Sequence, residues 1–118
     1  MLKIAVLVFA IGALGGLVMA MRVLRGQLAP WALSLLHAAL GAAGLVLTAL
    51  VVLGPKADGV ASIVPIALLI LVVAALGGFY LASFHARKQL PAKGVVFTHA
   101  GLAVVGFLLL CGGVFELI

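Results

Sequence analysis

The stretch "IVPIALLILVVAALGGFYLASF", Ile63 to Phe84, carries no charged residue. A helix needs about 20 consecutive apolar residues to cross a bilayer core, and this run is long enough. Three more runs of the same kind lie around it: Lys3 to Met21, Trp31 to Leu53, and Gly94 to Leu117. The breaks between them, "RVLRGQLAP", "GPKADG" and "HARKQLPAKG", hold most of the charges and three of the four prolines. The runs are long and uniformly apolar, whereas the strands of a membrane β-barrel are short and alternate. The pattern predicts an all-α, integral membrane four-helix bundle that forms a single transmembrane domain over residues 1–118. Composition agrees. The 118 residues are 68% hydrophobic and 8% charged, where a soluble domain carries roughly a quarter of its residues charged.

Charge then indicates orientation. The net charge of +5 is read as topology, not as nucleic-acid binding. Arg22, Arg25, Arg87, Lys88 and Lys93 fall in the loops after the first and third runs, while Lys3, Lys56, Asp58 and Glu116 fall on the other side. The positive-inside rule places the richer side in the cytoplasm. Both termini are therefore expected in the periplasm of a bacterial inner membrane, with Trp31 and Tyr80 in or near the interfacial aromatic belts. The lone Cys111 rules out a disulfide within the chain and reads as a small apolar packing residue.

The first run resembles a signal peptide in its basic start and its small residues at Val18 to Ala20. An internal repeat argues instead for a retained helix. Shifted by 62 residues, "ALGG" at Ala13–Gly16 falls on "ALGG" at Ala75–Gly78. Arg25 falls on Arg87, Gln27 on Gln89, His37 on His99 and Gly44 on Gly106. The chain reads as two tandem two-helix repeats, about residues 1–56 and 63–118. A repeat with an even number of spans inserts both copies in the same sense, about a pseudo-twofold axis along the membrane normal.

That axis puts His37 and His99 at one depth, roughly 9 Å in from the cytoplasmic end at about 1.5 Å per residue. An ionisable side chain inside a membrane marks a functional site by default. No carboxylate lies mid-membrane to partner them, which argues against a proton relay or a cation transporter. The glutamate on which small multidrug-resistance exporters depend is absent from the first helix. A haem iron would satisfy both imidazoles together, and bundle cores build such sites from facing helices. His37, Gly41 and Gly44 share one helix face, as do His99, Ala103 and Gly106. These small residues suit either a buried macrocycle or close helix packing. Arg22, Arg25 and Arg87, with Lys88 and Lys93, stand at the same end and suit the propionates as well as topology. His85 has Val23 as its repeat counterpart and breaks the symmetry. It is an interfacial residue, a hydrogen-bond partner of a propionate or quinone, or a replacement ligand.

In its repeated helix pairs and its His37/His99 pair, the chain resembles the cytochrome b561-type membrane cytochromes, four-helix cores with haem between histidines on opposed helices. Two-haem members use four ligands, and this chain has three histidines. The resemblance therefore implies one haem b near the cytoplasmic side. It also implies electron transfer to or from a quinone or a redox partner subunit. The sequence leaves the oligomeric state open, whether a single chain or a homo- or hetero-oligomer.

The expected function is an electron-transfer component rather than a stand-alone enzyme. Its alternative is a non-redox scaffold or accessory subunit, in which the histidines hydrogen-bond to each other, to Thr48 or Ser34, or to a backbone carbonyl. A small carrier is the third reading. Soluble catalysis is excluded, because no nucleophile–base set, phosphate loop or zinc-ligand cluster is present.

Overall fold

A computed structural model describes residues 1–118. It contains four α-helices, α1 (Leu2–Leu24), α2 (Trp31–Val52), α3 (Ile63–Ala86) and α4 (Lys93–Val114), and one 3-10 turn at Ala57–Gly59. Each α-helix is long and apolar enough to cross a membrane, and the chain is an integral membrane helical bundle measuring 45 × 22 × 19 Å. Only 15 of its residues are buried by protein. Leu7, Leu14, Leu69, Leu76 and Leu108 are among the many large apolar side chains on the outside. Lipid is the solvent for which such a surface is made.

Helix boundaries depart from the apolar runs by up to three residues: α1 runs on past Met21 to Leu24, and α4 ends short of its run. The fourth run extends to Leu117, whereas α4 stops at Val114. Glu116 turns into the left-handed region (φ 56°), and the Leu117 N–H donates to the Gly112 carbonyl at 2.8 Å. Such a turn satisfies carbonyls that the helix end would leave open. The side chain of Ile118 folds back over Gly112, where a Cβ would lie 2.7 Å from it.

Two hairpins make up the bundle. α1 packs chiefly on α2 and α3 on α4, while α1–α4 and α2–α3 form the smaller contacts between hairpins. This leaves α2 and α4 on a diagonal. The turns within the two hairpins use the same bonds. Gln27 N–H donates to Arg22 O and Gln89 N–H to Phe84 O, both at 2.9 Å, each partner lying 62 positions from its counterpart. Gly26 (φ 78°) and Lys88 (φ 54°) take the same left-handed place. Pro30 and Ala92, at φ near −60°, open the following helices. Buried positions recur at the same spacing: Ala5 and Ala67, Gly12 and Ala74, Gly44 and Gly106, Thr48 and Leu110.

The packed core lies towards the ends that carry the termini. Val6, Val64, Ala67, Leu71 and Leu110 form its centre, with Phe9, Leu45, Val52 and Phe107 against it. Here glycine lets the helices approach closely. A Cβ at Gly44 would meet the Phe9 ring at 2.7 Å, and one at Gly106 would meet Leu71 at 2.8 Å. Thr48, fully buried, donates its hydroxyl to Gly44 O at 2.8 Å and leaves no polar group unsatisfied there. Towards the cationic loops the packing thins, and only Ala29 and Val96 are buried. Both of the paired histidines are on that side.

A side chain held at left-handed φ costs about 1–2 kcal/mol, a cost that glycine avoids. Lys88→Gly is therefore expected to raise the unfolding midpoint in detergent, by about 1 kcal/mol of stability. Gly26→Ala should lower it by a similar amount, measured by thermal melts of the two variants beside the parent chain.

Candidate functional site: the paired histidines

His37 lies in the first half of α2 and His99 in the first half of α4. Both are half-buried. Hydrocarbon offers an imidazole no partner, so its nitrogens must find protein. His37 Nδ1 lies 2.8 Å from the Gly12 carbonyl oxygen of α1, and His99 Nδ1 lies 2.7 Å from the Ala74 carbonyl oxygen of α3. Gly12 and Ala74 are themselves 62 residues apart, so each hairpin makes the same bond. A carbonyl can only accept, so each histidine donates from Nδ1, and in the neutral ring this leaves the Nε2 lone pair free.

The two rings meet across the diagonal of the bundle. Their centroids are 6.3 Å apart, and their planes stand at 80°. A metal–imidazole nitrogen bond is about 2 Å, so two rings bound end-on to one metal have centroids roughly 6 Å apart once each ring's half-width is added. Such a pair tolerates any twist about the common axis, a perpendicular one included. A Nδ1–H bond to a backbone carbonyl is also the usual outer support of a ligating histidine.

The donor set at this meeting is two imidazoles. No group of three or more His, Cys, Asp or Glu side chains comes together anywhere in the chain, so a bare ion would find only the two imidazoles. A porphyrin supplies its own equatorial nitrogens and asks the protein for two axial ligands. Gly41, one turn along α2 from His37, has nothing within 4 Å of where its Cβ would be. That face is open beside the ring. His99 also borders a groove of about 310 Å³ between α3 and α4, shared with Gly77, Tyr80, Gly94, Thr98 and Leu102.

The other candidates lie apart from this pair. Gly44 and Gly106 are turned towards Phe9 and Leu71 of their own hairpins, and that packing accounts for their lack of a side chain. His85, near the end of α3, stacks on Trp31 at the start of α2, with centroids 4.3 Å apart and planes at 17°. The stack bridges the two hairpins at the cationic end. Arg22 and Arg25, at the exposed end of α1, and Arg87, after α3, ring the same end. Arg87 is the most constrained of the three. It donates from Nε to Ser83 O at 3.1 Å and from Nη2 to Ser83 Oγ at 3.4 Å, and it lies 4.8 Å over the Phe84 ring.

Sequence reasoning offered a backbone carbonyl as one partner of the histidines but did not identify Gly12 and Ala74 as the two acceptors. A backbone carbonyl has no signature in the residue alphabet, and one of the acceptors belongs to a glycine and the other to an alanine. The usable signal was the recurrence of "ALGG" and His at a common offset, which ties one position on α1 to one on α2. No protein-family model, curated protein or solved structure matches this chain.

The tautomer is directly measurable. Long-range proton–nitrogen correlation spectra of the imidazoles, recorded without added haem, are expected to show Nδ1 as the protonated nitrogen of the neutral His37 and His99 rings.

Proposed function

We propose that this chain is a membrane electron-transfer protein, or the membrane subunit of a redox complex, that holds one b-type haem between His37 and His99. The observation that carries the reading is the matched pair of imidazoles. Each is anchored through Nδ1 to a carbonyl of its own hairpin, and their centroids have the separation of two axial ligands. Bound there, haem would supply one-electron chemistry. The chain itself would fix both imidazole tautomers, exclude water with the apolar faces of four helices, and present Arg22, Arg25 and Arg87 to the propionates. The positive-inside bias sets the site near the cytoplasmic face with both termini outside. A quinone in the membrane or a partner subunit would exchange the electron. The cytochrome b561-type resemblance belongs to this proposal and supports it at the level of architecture alone.

A second reading has the same two bonds in its favour. An interhelical hydrogen bond in a membrane contributes about 1 kcal/mol, so the histidines could serve only to clip each hairpin in a scaffold or accessory subunit. That role accounts for Nδ1. It gives no reason for the two rings to meet across the diagonal with both Nε2 atoms free.

The visible spectrum separates the readings. Protein purified in mild detergent is expected to show a Soret band and sharp α/β bands on dithionite reduction. His37→Ala and His99→Ala should each lose them while keeping helical content by circular dichroism. A spectrum that survives both substitutions and disappears in His85→Ala would move the ligand to the Trp31 stack. A featureless spectrum even after haemin is added would leave the scaffold.

A further inference from the structure

The repeated "ALGG" holds two glycines in each hairpin, and they do different work. A Cβ at Gly16 would lie 2.8 Å from His37 Cε1 and 3.2 Å from its Nδ1. One at Gly78 would lie 3.0 Å from His99 Cε1 and 3.6 Å from its Nδ1. Comfortable carbon–carbon contact begins near 3.5 Å. The imidazole has little freedom to withdraw, since its Nδ1 is held by the carbonyl one helical turn earlier, Gly12 in one hairpin and Ala74 in the other. Residues i and i+4 lie on one helix face. Carbonyl and glycine therefore form a single notch, with the acceptor at its upper edge and the missing side chain as its floor. The preceding glycines have no such duty. A Cβ at Gly15 would make ordinary contact with Leu33 at 3.5 Å, and one at Gly77 would lie 3.7 Å from His99 Cβ.

We infer that Gly16 and Gly78 are positioning residues that set the rotation of His37 and His99, keep each Nδ1–H on its carbonyl, and thereby hold the two rings in their perpendicular meeting across the bundle. The redox consequence rests on the haem reading, whereas the notch itself does not. A methyl group on the floor of the notch would turn or lift the ring and lengthen the Nδ1–H···O bond. An imidazole with a weaker bond at Nδ1 is a poorer electron donor to a metal at Nε2, so the oxidised state loses stabilisation and the midpoint potential rises.

The test compares Gly16→Ala and Gly78→Ala with Gly15→Ala and Gly101→Ala, the last with nothing within 4 Å of its Cβ position. Redox titration of the purified protein is expected to show a raised midpoint potential in the first two and none in the controls. Thermal melts provide a readout independent of colour. Alanine is the better helix former, so only the clash with the ring can make the change unfavourable. Gly16→Ala should lower the melting temperature by a few degrees when His37 is present and raise it in a His37→Ala background. Gly78→Ala should reverse in the same way with His99→Ala, while Gly15→Ala should show no reversal. Melts without a sign reversal would overturn the notch. Reversal with an unmoved potential would overturn the positioning role and leave a packing contact. A colourless parent protein would sink the haem reading, and the sign of the melts would still decide the notch.

Discussion

The structure depends on how an imidazole in hydrocarbon finds a partner. Neither lipid nor a neighbouring carboxylate is there to receive its N–H, and the only acceptors within reach are backbone carbonyls already committed to their own helices. Each of those oxygens has a second lone pair. His37 uses that of Gly12, and His99 uses that of Ala74. Nearly everything about the site follows from this. It ties α2 to α1 and α4 to α3, puts the proton on Nδ1, and requires the facing helix to come close enough for its carbonyl to be reached. That proximity in turn leaves little room for a side chain one turn further along, at Gly16 and Gly78.

Packing is divided along the bundle in a way that suits such a site. The end carrying the termini is dense, with Ala5, Val64, Ala67 and Leu110 fully enclosed and glycines meeting Phe9 and Leu71 at close range. This end fixes the crossing of the two hairpins. The cationic end is thinner, held together between hairpins by the Trp31–His85 stack. The two ends of the bundle therefore differ, one rigid and one open. Trp31 and His85 have Lys93 and Val23 as their counterparts at the 62-residue offset. The clasp therefore closes one side of the bundle alone.

The scaffold reading and the haem reading share every contact described for Nδ1. They differ over Nε2, which the scaffold leaves without a purpose. This is why the diagonal meeting of the rings at 6.3 Å weighs more than the hydrogen bonds that support it.

Sequence by itself determined the membrane bundle, because a bilayer imposes length and apolarity on each span and four runs meet both conditions. The end of α4 was not legible, since the apolar run continues through a turn that depends on the left-handed backbone at Glu116. The pairing of His37 with His99 was legible from the offset alone, because equal register puts equal residues at equal depth. What the glycines do was not. Gly41, Gly44 and Gly106 share a face with the histidines by helical periodicity, yet Gly44 and Gly106 are spent on Phe9 and Leu71. The glycines against the imidazoles are Gly16 and Gly78, on the opposite helices. Periodicity reports which residues of one helix lie together. Which of them face a given neighbour is decided by how two helices cross, and that belongs to the tertiary structure.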